Sequence, residues 1–527
     1  MRILVADPLA DSGVQALADG HDVDVLTGLE KDELLKIVSA YDAIVVRSQT
    51  TLDADIIKAA TNLKVIARAG VGLDNVDVTA ATAQGVIVCN APQSNILSAA
   101  EHTMALLLSL ARHVPQAHNA LVDGRWERAK YTGVELYDKT LGVLGLGRIG
   151  SLVAQRAHAF GMRIVAYDPF VAPDRAARLG VTMLDTVNDV LAAADFVTVH
   201  LPKTEETAGM LNAERLRLMK PTARLLNVAR GGIIVEQDLA DALRDGVIAG
   251  AALDVFNAEP TTESPLFGLP NIVVTPHLGA STDEAQDKAG TQVAEYVKLA
   301  LAGEFVPSAV NVSGGPVVDE LKPYLSVGEE LGRLFTALCA GSLPAEVTVE
   351  YVGQIANEDC RVVGLSVMKG LLAPTASEPV TFVNAPLLAA NRGLNLREVS
   401  DSHSEDYVSL MRVSGITRDG ETIRVAATVL QPGNRERLTE IWNTAVDVEP
   451  TPHMAFFRYV DRPGVIGEIG HALGQAGVNI AAAQVSRHGD TNEAVMALSL
   501  DERIPADVMD TIVASIGATE GRTVTLL

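Results

Sequence analysis

The sequence predicts an α/β protein of several domains, centred on a doubly wound parallel sheet. Three observations carry that reading: short apolar runs alternate with helix patterns up to about residue 310, a glycine-rich turn at Gly145–Gly150 separates a strand from a helix, and the chain closes on a βαββαβ pattern. With 527 residues, 48% of them hydrophobic, the chain exceeds a single core and has apolar material for about three or four.

In residues 1–97 the runs Ile3–Ala6, Asp22–Leu26, Ala43–Val46, Lys64–Ala67 and Val86–Val88 alternate with helix patterns, which specifies a small parallel sheet. A long helix pattern, Ser98–Arg112, then leads past Trp126 and bridges to a second unit, residues 98–281. Its strand candidates are Leu141–Gly145, Arg163–Tyr167, Asp195–His200, Ala223–Val228, Gly250–Phe256 and Asn271–Thr275, with helix patterns such as Asn212–Lys220 and Glu236–Arg244 between them. Alternation at this spacing gives a doubly wound sheet, in which ligands lie at the carboxyl ends of the strands. A helix pattern over Ser281–Ala302 crosses back within residues 282–314, and Pro307–Pro316 reads as a linker. Residues 315–451 mix helix and strand patterns, among them Leu325–Cys339, Glu346–Tyr351, Tyr407–Val413 and Glu421–Leu430, and read as an α+β unit without a chemical motif. Residues 452–527 carry the closing βαββαβ pattern: strand Met454–Val460, helix Gly464–Gln475, hairpin Val478–Val485 with Glu493–Leu500, helix Ala506–Ile516 and strand Arg522–Leu527.

The glycine turn reads as a dinucleotide site because of its context. Gly145 permits the tight turn from strand to helix, Gly147 lets a pyrophosphate approach the backbone, and Gly150 lets helix and strand pack closely. The free N–H groups of the helix starting near Arg148 and Ile149 face the phosphates. Asp168 closes the next strand, where a carboxylate accepts from both hydroxyls of the adenosine ribose and repels a 2′-phosphate. The cofactor expected is therefore NAD rather than NADP.

Three polar residues follow strand runs in the same unit: Arg230, Glu259 and His277. Alone, each fits an ordinary surface role, an ion pair, a solvated acid or a satisfied histidine. Together, downstream of a nucleotide turn, they supply the parts of hydride-transfer chemistry. A histidine exchanges a proton with a carbonyl or hydroxyl oxygen near neutral pH, a neighbouring carboxylate orients it and raises its pKa, and an arginine grips a carboxylate while polarising the adjacent carbonyl. Arg47, after a strand in the first unit, supplies positive charge for a further anionic group, and the Arg68–Gly72 stretch, with Val71 and Gly72, offers backbone N–H groups.

The set Gly145–Gly150, Asn227–Gly232, Ala251–Phe256, Glu259-Pro260 and Pro276–Ala280 resembles the D-isomer-specific 2-hydroxyacid dehydrogenases over roughly residues 1–310. The last unit, with Asp461–Gly467 and Ala476–Ile480, resembles an ACT domain, an amino-acid-sensing module. The whole order is similar to the long-form members of that family that oxidise 3-phosphoglycerate with NAD and open serine biosynthesis. The resemblance implies a flavodoxin-like substrate domain split between residues 1–97 and 282–314, a Rossmann-like NAD domain at 98–281, an intervening regulatory domain at 315–451 and an ACT domain at 452–527. It implies that His277 is the acid/base, Glu259 its partner and Arg230 the residue that orients substrate. Cofactor contacts then fall on Arg148, Ile149, Asp168, Val228, Ala229, Arg230, Asp254, His277, Leu278, Gly279 and Ala280. It further implies an L-serine effector held between paired ACT domains by Tyr459, Asp461 and Asn479, a homotetramer, and a reach of Trp126 with Arg125 and Arg128 into the neighbouring subunit's site.

Composition narrows the remaining classes. A formal charge of −24 opposes a nucleic-acid or anionic-membrane partner, and the first residues read as a strand rather than a signal peptide. Cys89, Cys339 and Cys360 make neither a disulfide framework nor a metal cluster, so a cytoplasmic location without a metal is expected. Two other readings stay open: another D-2-hydroxyacid dehydrogenase or glyoxylate-type reductase with a regulatory tail, and a nucleotide-sensing binding protein. Retention of Arg230, Glu259 and His277 together weighs against the second.

Overall fold

The computed structural model describes residues 1–315, 317–377, 379–487 and 492–526. Pro316 and Leu527, the end points of the expected linker and closing strand, lie outside the described residues.

The first sheet contains β1 (Arg2–Val5), β2 (Asp22–Val25), β3 (Ala43–Val46), β4 (Val65–Arg68) and β5 (Ile87–Asn90), all parallel, in the order β2-β1-β3-β4-β5. This is the flavodoxin-like order. β3 is buried at every position, as a parallel strand covered on both faces must be. One of those covers comes from far along the chain: the helix Asp283–Ala302 packs Ala289, Val293, Val297 and Leu301 against Ile3, Val5, Val45 and Val65. Gly13 and Gly290 face each other so closely that a Cβ on Gly13 would lie 2.8 Å from the Gly290 backbone, which lets the two helices touch.

The second sheet contains β6 (Thr140–Leu144), β7 (Arg163–Tyr167), β8 (Val181–Met183), β9 (Phe196–Val199), β10 (Arg224–Asn227), β11 (Gly250–Leu253) and β12 (Ile272–Val274). Its order, β12-β11-β10-β9-β6-β7-β8, is wholly parallel and reverses direction between β6 and β9. That reversal is the doubly wound switch point, the place where ligand crevices form. Two chain crossings join the sheets: the helix Ile96–Arg112 and the segment leading into Asp283–Ala302. Ser98 in the first turn of the bridging helix hydrogen-bonds Thr282, the N-cap of the returning one, at 2.8 Å, so the two crossings are tied together.

The C-terminal part holds a six-stranded mixed sheet of β13 (Glu346–Gly353), β14 (Asn395–Asp401), β15 (Ser409–Ile416), β16 (Thr422–Leu430), β17 (Arg435–Ile441) and β18 (Thr444–Val448), ordered β14-β13-β15-β16-β17-β18. It ends in a four-stranded antiparallel sheet of β19 (His453–Val460), β20 (Ile480–Arg487), β21 (Glu493–Leu500) and β22 (Glu520–Thr525), ordered β20-β21-β19-β22, with helices Val465–Gln475 and Ala506–Ile516 on one face. The other face places Met454, Phe456, Val495, Ala497 and Val524 in the same core as Leu331, Phe335 and Val425. The last two sheets therefore share one apolar interior. No helix among the described residues is long and apolar enough to cross a membrane.

Candidate active site and cofactor cleft

At the switch point each fingerprint glycine has a distinct reason to lack a side chain. Gly145 sits at φ +94, and a Cβ there would stand 2.5 Å from the His200 carbonyl oxygen. A Cβ on Gly150 would run into the Gly145 carbonyl oxygen, so the helix Arg148–Ala159 rests directly on the turn. Nothing lies within 4 Å of the Gly147 position, which leaves the helix N-terminus open to an anion. Asp168 is pinned beside this turn: the Leu146 N–H donates to Oδ2 at 2.8 Å and the Phe170 N–H to Oδ1 at 2.9 Å. An open phosphate approach next to a fixed carboxylate fits a dinucleotide without a 2′-phosphate.

The reacting end is set by strand neighbourhood. β10, β11 and β12 are adjacent and parallel, so the residues that leave their carboxyl ends emerge side by side, roughly 5 Å apart per strand. Arg230 leaves β10, Glu259 follows β11 and His277 follows β12. His277 Nδ1 lies 2.5 Å from Glu259 Oε2, and the Phe256 N–H holds Oε1 at 2.7 Å. Glu259 thus orients the ring and leaves Nε2 available to a ligand. The hydrogen bond to Glu259 raises the His277 pKa, against a lowering from partial burial. Burial pushes the Glu259 carboxyl up, but the bonds from His277 and the Phe256 N–H outweigh it and hold the pKa below its ordinary value.

Two side chains build this end, Asn227, to which the sequence reading gave no role, and Asp254, which it placed beside the cofactor. Asn227, buried at the end of β10, accepts from the Ala229 N–H at 3.0 Å and donates to the Arg230 carbonyl at 2.9 Å, which folds the Val228–Arg230 turn. Asp254, expected beside the cofactor, is fully buried. Its Oδ1 takes the Leu278 N–H at 2.7 Å and the Thr275 hydroxyl at 2.5 Å, and its Oδ2 takes the Gly279 N–H at 2.8 Å. Both oxygens serve protein donors, so Asp254 holds the backbone that follows His277. Burial raises the Asp254 pKa, and hydrogen bonds from His102, Thr275 and the Leu278 N–H together drive it below the usual carboxylate value.

Across the cleft, adjacent strands β3 and β4 deliver Arg47 and the Arg68–Gly72 loop in the same way. Buried Asp7 shapes the Arg47 loop, accepting from the backbone N–H groups of Arg47 at 2.6 Å and of Thr50 at 3.0 Å and from the Thr50 hydroxyl at 2.6 Å. The Arg47 guanidinium faces the Pro8 carbonyl and Gln286 Oε1, at 3.3 and 3.5 Å, beside a cavity of about 30 Å³. Arg68 donates to the Arg47 carbonyl at 2.9 Å and to the Gly72 carbonyl, bracing the loop that carries Val71 and Gly72. Asn90 donates to the Val71 carbonyl at 2.5 Å. A Cβ on Gly72 would stand 3.1 Å from the Arg230 guanidinium, so the loop meets Arg230 across the cleft. The two sheets therefore converge with Arg47, Arg68 and Arg230 on one anion-attracting crevice in a chain that is acidic overall.

The structure does not bring Tyr459, Asp461 and Asn479 together. Tyr459 is buried in the four-stranded sheet, and Asp461 beside it is held by Arg487 at 2.7 Å. Asn479 donates to Asp501 at 2.8 Å. Val460 lies opposite Glu493 and Ile480 opposite Leu500, so Asp461 and Asn479 flank opposite ends of β21, roughly 30 Å apart along the strand. Trp126 is 82% exposed and takes no part in this chain's cleft. No group of His, Cys, Asp and Glu among the described residues is arranged to hold a metal.

Comparison with known proteins defines the class first. Residues 104–279 match the family model of the D-isomer specific 2-hydroxyacid dehydrogenase, NAD binding domain, residues 320–442 that of the D-3-phosphoglycerate dehydrogenase intervening domain, and residues 453–517 that of the ACT domain. A D-3-phosphoglycerate dehydrogenase of Mycobacterium leprae (strain TN) is 49% identical over 99% of both chains. Among solved structures, the TT0316 protein of Thermus thermophilus is 38% identical with a TM-score of 0.55, covering 59% of this chain and all of its own. A D-lactate dehydrogenase from Aquifex aeolicus, solved with NAD and lactic acid, is 26% identical with a TM-score of 0.52, covering 58% of this chain and 96% of its own. The chain belongs to the D-3-phosphoglycerate dehydrogenase family.

Proposed function

We propose that the cleft catalyses the NAD-dependent oxidation of 3-phospho-D-glycerate to 3-phosphohydroxypyruvate, the opening step of L-serine biosynthesis. The observation that carries it is the His277–Glu259 pair at 2.5 Å beside Arg230, opposite Arg47. His277 Nε2 takes the proton of the C2 hydroxyl as the C2–H bond breaks, and Glu259 stabilises the imidazolium that forms. NAD, when bound, accepts the C2 hydrogen as hydride. Arg230 grips the substrate carboxylate with the N–H groups of Val71 and Gly72, and its charge polarises the forming carbonyl. Arg47 takes the phosphate. Gly145, Gly147, Arg148, Ile149 and Gly150 receive the pyrophosphate and Asp168 the ribose. Val228, Ala229 and the Leu278–Ala280 backbone, with Asp254 behind it, line the nicotinamide end.

L-serine is the proposed effector. Its site is completed between two copies of the last sheet, with Tyr459 and Asp461 from one and Asn479 from the other, because their separation in one chain is too large for one small amino acid. Asp461 takes the ammonium, shared with or released from Arg487. A homotetramer in the cytoplasm, with domain borders near residues 97, 281, 314 and 451, completes the proposal. NADH formation measured by absorbance with 3-phosphoglycerate and with D-lactate tests the central reading: strong preference for the phosphorylated acid is expected, and equal turnover of both would replace it with a general 2-hydroxyacid dehydrogenase.

A further inference from the structure

His102 lies one turn inside the bridging helix Ile96–Arg112 and has no part in the chemistry described so far. Its Nε2 stands 3.2 Å from Asp254 Oδ1 and 3.1 Å from Thr275 Oγ1. The Thr275 hydroxyl proton is committed to Asp254 Oδ1 at 2.5 Å, so Thr275 can only accept from the histidine. Nε2 of His102 therefore carries the proton and is shared between the two oxygens. Asp254 in turn holds the Leu278 and Gly279 N–H groups. His277, the residue before them, adopts a left-handed backbone at φ +54, with its own N–H bonded to the Asp254 carbonyl at 2.9 Å. A β-carbon-bearing residue visits that region only when its surroundings hold it there.

We propose that His102 is a positioning residue of the active site, fixing the Asp254 carboxylate and through it the His277 loop to the helix that joins the two halves of the cleft. The inference rests on His277 being the acid/base. The geometry gives it a direction: the Ser98–Thr282 bond ties the same helix to the returning segment one turn earlier, so the catalytic loop is registered to the hinge between the sheets. The titratable groups facing Asp254 are His102, His277 and Glu259, and those facing His277 are Glu259, Asp254 and Arg230. Of the groups facing Asp254, His102 is the one that hydrogen-bonds its carboxylate from a separate helix.

The test compares the full chain with His102→Leu, which keeps the bulk and removes the donor, and His102→Gln, whose amide N–H falls near the place of Nε2. His102→Leu is expected to lose about tenfold in kcat, the worth of one hydrogen bond to a buried charge, with KM for 3-phosphoglycerate within about twofold of the parent. His102→Gln should regain most of that loss. Thr275→Val removes the other side-chain donor to the same oxygen, and its loss should not add to that of His102→Leu. Parental kcat in His102→Leu, or equal losses in the Leu and Gln variants, would overturn the inference. If His102→Leu does not fold, parental kcat in Thr275→Val overturns it instead. His277→Ala assayed alongside separates the two levels: its normal turnover would remove the acid/base reading itself, whereas its collapse beside a fully active His102→Leu removes only the role of His102.

Discussion

In the cleft, the ends of β10, β11 and β12 bring Arg230, Glu259 and His277 together within one chain, whereas in the C-terminal sheet Asp461 and Asn479 stand at opposite ends of the β21 ladder. The difference lies in which end of its strand each residue occupies. Parallel neighbours end on the same side, so residues scattered over the sequence after successive strands converge without further help. In the C-terminal sheet β19 and β20 also run in one direction, each antiparallel to β21 between them, but Asp461 follows β19 whereas Asn479 precedes β20, so the two stand at opposite ends of the sheet. One chain thus gathers Arg230, Glu259 and His277, whereas the proposed effector site needs two copies of the last sheet.

The largest effect should come from the residue on which the cleft turns. His277→Ala is expected to lose about 10²–10⁴-fold in kcat while still binding NADH, measured by steady-state turnover and by NADH fluorescence. Normal turnover would break the comparison at its first term. Next, Arg47→Ala should raise KM for 3-phosphoglycerate by about tenfold or more and leave a 2-hydroxy acid without phosphate much less affected, because only the former loses a charge-assisted contact. Equal loss for both substrates would make Arg47 a structural residue.

These residues were legible because each punctuates a strand: a glycine turn, an arginine or a histidine directly after an apolar run leaves a local mark. Most of the supporting set left none. Asp7 and His102 act through hydrogen bonds that close across 43 and 152 residues, Asn227 folds a short turn from within its motif, Asp254 entered only through the family resemblance, and Arg68 works by bracing backbone rather than by facing a ligand. In the fold, most of the parallel strands stood out as short apolar blocks, clearest where both faces are buried as in β3, β9 and β10, whereas the short β8 was not named. β14, Asn395–Asp401, was missed because it is an edge strand with no fully buried position, so it has no apolar alternation to read. β17 and β18 also escaped, although both have buried positions, because polar and charged residues (Arg435, Glu436, Arg437, Glu440, Asp447) interrupt their apolar runs. Tyr459, Asp461 and Asn479 came from motif resemblance alone, which is blind to the end of the sheet at which each residue stands.

Asp168→Ala should weaken NAD binding by about tenfold and relax the preference against NADP, since it removes both the ribose acceptor and the repulsion of a 2′-phosphate. An unchanged NAD affinity, by calorimetry, would detach Asp168 from the cofactor. The smallest effect is expected for Glu259→Gln. Glu259 raises the His277 pKa, and partial burial, which lowers it, stays in place when the charge is removed. The variant's pKa must therefore fall. Oxidation needs neutral His277, so its rate should begin to rise at lower pH; reduction needs the imidazolium, so its falling limb should move the same way. A pH profile that stays where it was would show that the two residues are not coupled.

The contrast between a site complete in one chain and a site shared by two is tested most directly by serine binding to mixed assemblies. Asp461→Ala and Asn479→Ala chains, each alone, should lose serine binding in calorimetry while retaining NAD-dependent oxidation of 3-phosphoglycerate. Co-expressed, they should recover part of that binding, because one copy then contributes an intact Asp461 and its neighbour an intact Asn479 to the same site. Recovery in the mixture is the predicted result; mixed assemblies that bind no more serine than either variant alone would contradict it.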